Sequence, residues 1–397
     1  MTEISRELIS DCVHCGFCLP TCPTYGPLWR EEMDSPRGRI YLMGGLVDGS
    51  IPLSATTVQH FDRCLGCMAC LTSCPSGVRY DQLIEQTRAH VEEHYQRPFP
   101  DWVQRELIFA TVPYPRRLRL ALAMTPPWLP GRFRAFAALK PPWRSSERPP
   151  EVTPAVGEKR ARVGLLLGCV QSVVFGDVNT ATARVLAAEG CEVVAPRRQQ
   201  CCGALHLHAG RYGEGRRRAH RLAEFFDGVD AIVVNAAGCG SHLKESELPV
   251  RVVDINEFLA ELGPRAERHE LSIRVAYQDA CHLGHAQGIR DAPRSVLRSI
   301  PGLELVEPAE QPICCGSAGI YNLTQPAAAS ELGERKAANV AATGADAYAS
   351  ANPGCLVQVS SYLRKAGRPL PALHPVEILD ASIRGAGRGS VLTSARH

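Results

Sequence analysis

Two copies of one cysteine string lie in the first quarter of this 397-residue chain. The first is Cys12-Val-His-Cys15-Gly-Phe-Cys18-Leu-Pro-Thr-Cys22-Pro23, and the second is Cys64-Leu-Gly-Cys67-Met-Ala-Cys70-Leu-Thr-Ser-Cys74-Pro75. Both follow the C-x2-C-x2-C-x3-C-P pattern that holds cubane [4Fe–4S] clusters. Three thiolates at i, i+3 and i+6 on a curling loop reach three irons of one cube. The fourth, beside a proline that turns the chain, ligates the other cube. The expected ligand sets are therefore Cys12, Cys15, Cys18 and Cys74 for one cluster, and Cys64, Cys67, Cys70 and Cys22 for the second. Gly16 and Gly66 let the loops pack tightly, so that backbone N–H groups can aim at sulfur. Zinc sites usually pair two separated C-x2-C units, which a duplicated run of four cysteines with terminal prolines does not resemble. The chemistry expected is electron transfer.

Positioning these strings requires a first unit that extends to about Arg97. Forty-one residues, 23 to 63, separate them, more than a minimal two-cluster domain needs. That insert contains Pro36-Arg-Gly-Arg-Ile-Tyr-Leu-Met43, a helix start. Tyr80 to Tyr95 lacks Gly and Pro and sets Leu83, Ile84, Thr87 and Val91 at helical spacing. A mainly helical unit over residues 1–97 is expected, with Pro98 and Pro100 stopping its last helix. Residues 98–158 read as a proline-broken linker with short helices.

Beyond the linker the pattern becomes α/β. Arg162-Val-Gly-Leu-Leu-Leu-Gly168, Cys191-Glu-Val-Val194 and Asp230-Ala-Ile-Val-Val-Asn235 read as strands, with a helix over Thr180 to Glu189. The pattern then repeats: strand Ile273-Arg-Val-Ala-Tyr277 leads to Cys281, Leu303-Glu-Leu-Val306 precedes Cys314-Cys315-Gly316, and Asp346 to Ala351 precedes Cys355. Corresponding cysteines are offset by 112 (169 to 281), 113 (202 to 315) and 116 (239 to 355). Offsets this uniform mark an internal duplication, placed at 159–265 and 270–385. Each half carries four cysteines: Cys169, Cys201, Cys202 and Cys239, then Cys281, Cys314, Cys315 and Cys355. In parallel sheets, ligands sit beyond the carboxyl ends of the strands, where these cysteines fall, so they can converge.

Composition sets the bounds. The 45% hydrophobic content is enough for real cores, and seventeen cysteines point to a reducing, cytoplasmic compartment. The N-terminus lacks a secretory pattern, and no run approaches the roughly 20 apolar residues of a membrane span. The net charge of +3 is uneven. Between Arg97 and Arg148 ten arginines or lysines face three acids, a local +7. That stretch also holds Trp102, Trp128 and Trp143, and its segments Leu118 to Met124 and Phe133 to Lys140 interleave aliphatics with basic residues. A basic amphipathic segment with tryptophan suits docking to a membrane surface or a partner. Cys191, on a strand without a motif partner, reads as a small buried hydrophobe. His206 and His208, which alternate with leucines, read as structural, whereas His282 and His285 read as loop-bonding residues with a role in tuning or ligating a cluster open to them. Arg216, Arg217, Arg218 and Arg221 read as a solvated helical face, with no need for nucleic acid. No G-x-G-x-x-G follows a strand and no G-x4-G-K-[ST] occurs, so the sequence shows no means of holding flavin or nicotinamide.

The repeats resemble the cysteine-rich CCG domains of heterodisulfide reductases. Joined to a two-cluster ferredoxin, the whole chain resembles the iron–sulfur subunits of bacterial glycolate oxidase. The stretches that carry this likeness include Cys12-Val-His-Cys-Gly-Phe-Cys18, Pro36-Arg-Gly-Arg-Ile-Tyr41, Cys74-Pro-Ser-Gly-Val-Arg-Tyr80, Asn179-Thr-Ala-Thr-Ala-Arg-Val-Leu186 and Cys314-Cys-Gly-Ser-Ala-Gly319. The fullest CCG motif has a fifth cysteine per repeat, and that position is Ala236 in one repeat and Asn352 in the other. The four remaining thiols of each repeat can ligate one further iron–sulfur cluster, or stand as buried or redox thiols.

The resemblance implies an electron-transfer subunit. FAD-bearing partner subunits would oxidise glycolate to glyoxylate, and D-lactate to pyruvate. This chain would pass the electrons to a membrane acceptor such as quinone, from a peripheral position on the inner face of the cell membrane. Subunits of lactate and anaerobic glycerol-3-phosphate dehydrogenases share the domain plan, and a thiol–disulfide enzyme of the heterodisulfide type is the different-class alternative.

Overall fold

The computed structural model describes residues 3–125 and 148–394. The first unit is helical, with no strand among the described residues up to 97. Helix Pro36–Asp48 begins where Ser35 caps it, accepting from the Gly38 amide, with Pro36 fixing the first turn. It ends at Gly49, whose positive φ closes the last turn. Helices Ala55–Asp62 and Tyr80–His94 pack on it through a core of Ile40, Met43, Phe61, Leu83, Ile84 and Val91. This small core holds the two cysteine loops at its edge.

Two sheets follow. The first contains β1 (Val152–Thr153), β2 (Ala161–Leu166), β3 (Cys191–Val194), β4 (Ala231–Val234) and β5 (Val252–Asp254), in the order β1-β3-β2-β4-β5. The second contains β6 (Arg274–Tyr277), β7 (Glu304–Val306), β8 (Ala347–Ala349) and β9 (Ala372–Leu373), in the order β7-β6-β8-β9. All pairs are parallel except β1 with β3. The shared order β3-β2-β4-β5 and β7-β6-β8-β9 is the duplication foreseen from the cysteine offsets. The β2 and β4 residues alternate into cores on both faces, which explains their unbroken apolar runs. Val152 and Thr153 differ from the sequence reading, which left them in the linker. They form an antiparallel edge strand on β3 because Val152 lies opposite Val194.

The repeats are fused rather than strung. One core draws from both, and helix Pro375–Ile383 of the second packs on helix Gly176–Ala188 of the first. The Arg184 guanidinium donates to both Asp380 oxygens, at 2.9 and 2.6 Å. Two linker helices, Phe99–Thr111 and Pro115–Met124, lie over this body. Their inner residues Ile108, Val112, Leu118 and Leu122 join its core. Outside, Phe99 and Met124 are each 74% exposed, with Trp102, Leu107 and Leu120 also exposed. Arg116, Arg117 and Arg119 share that surface. Trp128, Trp143 and the segment Phe133 to Lys140 lie outside the described residues.

Candidate metal centres

The two cysteine loops take the same path. In each, the residues two and four places after the first cysteine have positive φ: His14 (53°) and Gly16 (88°) in one, Gly66 (63°) and Met68 (62°) in the other. Each loop supplies glycine at only one of its two left-handed positions, so His14 and Met68 carry backbone strain at the site. The turn directs the Gly66 N–H at Cys64 Sγ, 3.4 Å away.

Each loop closes a small cavity. One is lined by Cys12, Cys15, Cys18 and Cys74, the other by Cys22, Cys64 and Cys67, and Cys70 lines both. The fourth cysteine of each string thus reaches the cavity of the other string. The cavities are neighbours: Cys74 acts electrostatically on Cys12, and Cys22 acts on Cys67 and Cys70 as well as on Cys18 of its own string. Among the described residues no three His, Cys, Asp or Glu side chains converge as ligands of a single ion. The thiols stand around spaces, an arrangement that suits a cage of several metal atoms.

The second cavity has a polar lining the sequence did not flag. Arg39, 1% exposed, pairs with Asp34 at 3.3 Å, donates to the His60 carbonyl at 2.7 Å and to Thr24 Oγ1 at 3.0 Å. Arg63 also binds Asp34, at 2.8 Å, so the buried carboxylate is outnumbered by cations. The Tyr80 hydroxyl donates to Cys64 Sγ at 3.6 Å. Burial raises the Cys64 thiol, but Arg39, Arg88, the Gly66 amide and Tyr80 outweigh it, and its pKa falls. Burial pushes Cys67 and Cys70 well up, and at Cys67 the Ala69 amide offsets it only in part. A site that stabilises negative sulfur at one corner and encloses it in apolar packing fits a metal–sulfur cluster. Arg39 was legible only as part of the Pro36-Arg-Gly-Arg stretch, and Tyr80 only by its place after Cys74-Pro75.

The eight remaining cysteines of the motifs meet. Cys169, Cys201, Cys202 and Cys239 of the first repeat, and Cys281, Cys314, Cys315 and Cys355 of the second, line one largely apolar cavity of about 220 Å³. Cys281 Sγ lies 3.8 Å from Cys314 Sγ, and Cys315 Sγ lies 3.5 Å from Cys355 Sγ. In the first repeat Cys201 accepts from Cys169 and Cys202, which pulls its own pKa well down. The fifth-cysteine positions also line the cavity, and Asn352 turns its amide to Cys355 Sγ at 3.5 Å. The fully buried Lys336 acts on Cys315, Cys314 and Cys355 and supplies positive charge to the second repeat. Nothing in the sequence pattern singled it out.

The two sulfur regions adjoin. Leu65, Cys67 and Ala69 pack with Cys281, Cys314 and Tyr321, and Cys314 acts electrostatically on Cys67. His285 bonds the loop as expected: its Nε2 donates to the Pro312 carbonyl at 3.1 Å, and its Nδ1 accepts from Thr72 Oγ1 at 2.9 Å. His282 Nδ1 is 3.6 Å from Cys281 Sγ, and its ring tilts against His208 with centroids 4.9 Å apart. His206 packs on Phe109 and reaches Glu214 at 3.2 Å, a structural place. Cys191 is fully buried in β3. Arg216 and Arg218 form ion pairs with Glu247 and Glu214 on their helical face.

Comparison with known proteins agrees with this layout. The 4Fe-4S dicluster domain family matches residues 8–78, and the Cysteine-rich domain family (CCG) matches residues 163–244 and 275–360. The chain is 34% identical to the glycolate oxidase iron-sulfur subunit of Escherichia coli, over 96% of this chain and 97% of that protein. It is 33% identical to the probable glycolate oxidase iron-sulfur subunit of Bacillus subtilis, over 96% and 94%. Lactate utilization protein A of Oceanobacillus iheyensis is 28% identical over 56% of this chain and 98% of its own. A solved structure of a hypothetical protein from Helicobacter pylori shares the fold, with a TM-score of 0.53 at 11% identity over 91% of this chain and 70% of its own. With both domain types present in this order and identity sustained along nearly the whole length, the chain belongs to the family of glycolate oxidase iron–sulfur subunits.

Proposed function

We propose that this iron–sulfur subunit carries electrons from an FAD-bearing partner, which oxidises glycolate to glyoxylate and D-lactate to pyruvate, to a membrane acceptor such as quinone. The observation that carries this reading is the adjoining of the sulfur regions: an exposed cysteine loop, a buried one, and an eight-cysteine cavity follow one another through the protein.

Cys12, Cys15, Cys18 and Cys74 are proposed to hold one [4Fe–4S] cluster, and Cys64, Cys67, Cys70 and Cys22 the second. Such clusters, when bound, supply one-electron redox centres whose potentials span a wide range. The chain's own residues set where in that range the sites fall. The Gly66 N–H and Tyr80 O–H stabilise sulfur charge at Cys64, and Arg39 adds positive charge behind it. Apolar side chains pack around both Cys67 and Cys314. At the outer loop, Cys15 is exposed and Val13 and Phe17 project beside it, Phe17 67% exposed, which suits docking of the electron donor. The eight cysteines of the cysteine-rich repeats extend the line, with one further cluster proposed there.

Flavin is assigned to the partner because two-electron oxidation of a 2-hydroxy acid requires such a carrier. Among the described residues no helix is long and apolar enough to cross a membrane. The outer face of the linker helices, with its apolar residues and arginines, supports a peripheral position on the inner face of the membrane. Co-purification from the native host tests the reading. FAD-bearing partners and glycolate-dependent quinone reduction are expected, whereas a complex that oxidises lactate or glycerol 3-phosphate but not glycolate would reassign the substrate.

A further inference from the structure

We propose that the junction between the two-cluster unit and the cysteine-rich repeats contains a binding site for a small oxyanion, held by Arg88, Arg105, His208 and His282. These residues line one cavity of about 150 Å³, together with the Cys64-Leu65-Gly66 turn and Tyr321. The cavity adjoins the eight-cysteine cavity, since His208 and His282 line both.

The donors around it exceed the acceptors. Arg88 donates to the carbonyls of His208 and Cys64, and among the described residues no carboxylate pairs with it. Arg105 gives Nη2 to Glu92 and to the Ala209 carbonyl, each at 2.9 Å, while its Nε is buried without a partner. His208 Nδ1 faces Glu85 at 3.4 Å, and its Nε2 is buried without a partner. His282 Nδ1 faces Cys281 Sγ, and its Nε2 is likewise buried and unpaired. Burial holds the Glu85 carboxyl up at about 8, so near neutrality this neighbour of His208 brings no full negative charge to the edge of the cavity.

Two carboxylates also line the cavity. Asp62 is engaged by Arg97 at 2.7 and 3.1 Å, and Asp101 is exposed. Unpaired buried N–H groups are costly, and a guanidinium without a carboxylate completes a site for a ligand that only accepts. The volume is well below the roughly 300 Å³ at which drug-sized sites begin. It suits a two- or three-carbon carboxylate or inorganic phosphate. Negative charge against the Cys64 turn would oppose loading an electron at that end of the protein, so ligand binding and reduction would be linked reciprocally.

The full chain, purified anaerobically, is titrated calorimetrically with glyoxylate in one arm and inorganic phosphate in the other. This readout needs neither partner nor electron flow, so it stands or falls apart from the electron-transfer reading. One site per chain is expected, and the arm that binds identifies the source of the anion. Arg88→Met should weaken binding at least about tenfold. Because Arg88 also braces two backbone carbonyls, His208→Leu serves as the second variant, with a weakening of several-fold. Absence of binding at concentrations up to about 10 mM in both arms, or binding unchanged in both variants, would overturn the proposal and leave a cavity filled by ordered water only.

Discussion

The Tyr321 hydroxyl donates to the Arg63 carbonyl at 3.1 Å, tying the loop after Cys314-Cys315 to the residue that precedes Cys64. This phenol joins the Thr72–His285 bond and the apolar packing around Cys67 in holding the sequence-distant sulfur regions in register. Tyr321→Phe should cost about 1 kcal/mol of stability while leaving both clusters of the first unit spectroscopically intact. Electron passage from the first unit to the repeats should slow, as read by rapid-freeze spectra. Unchanged passage would show that the register is kept by the Thr72–His285 bond and apolar packing alone.

Cys22→Ser tests the crossed ligation. Anaerobic protein should carry about eight iron in the first unit. The variant should lose the cluster built on Cys64, Cys67 and Cys70 and keep the one on its own string. Loss confined to the Cys12 cluster would contradict the crossed lining of the two cavities. If the repeats hold a further cluster, the wild type should approach about twelve iron in total.

How much of this was legible beforehand differs by level. The cysteine strings specified both loops, since their spacing is dictated by the cage they surround. The strands of the repeats were legible because parallel strands buried on both faces read as continuous apolar runs, as β2 and β4 do. The convergence of all eight repeat cysteines on one cavity was only half visible. The duplication placed each set at its own sheet's carboxyl end, but the packing of helix Pro375–Ile383 across the repeats, which brings the two ends together, leaves no local pattern. Strands β5 and β9 are too short to announce themselves. Nothing in the sequence pattern singled out Arg88, because its partners are carbonyls contributed by distant turns, and His208 read only as structural.

Stability should depend on pH through buried carboxyls. Burial, with the charge of Asp81, lifts Glu85 from an ordinary 4.5 to about 8, and burial lifts Glu377 to about 7. Each keeps a proton in the folded chain that the unfolded chain has released. The stability they contribute is full below about 4.5 and is lost as pH rises to about 8. Burial lowers His208 and His242 to about 4, so their contribution is complete above 6.5 and is lost only on acidification. Between pH 6.5 and 8 the glutamates dominate, and the urea midpoint should fall. Glu85→Gln should flatten that decline; an unaltered slope would mean that Glu85 is ionised in the fold.

The linker helices should govern docking. Arg116, Arg117 and Arg119 are exposed beside Leu120 and Met124. Replacing all three by Gln should weaken association with membranes or partners and reduce its salt sensitivity. Unchanged membrane fractionation and complex recovery across salt concentrations would leave these helices a cover for the core.

The division of labour is tested most directly by mixing the oxidised, anaerobic chain with glycolate, with and without the FAD-bearing partners, and following cluster absorbance in time. Bleaching is expected only when the partners are present, and the chain alone should hold no flavin and turn over no glycolate. Cys67→Ser should block passage to the physiological acceptor, while a dye that draws electrons from flavin is still reduced. Glycolate oxidation by this chain alone, or FAD bound tightly to it, would contradict its assignment as the electron-carrying subunit.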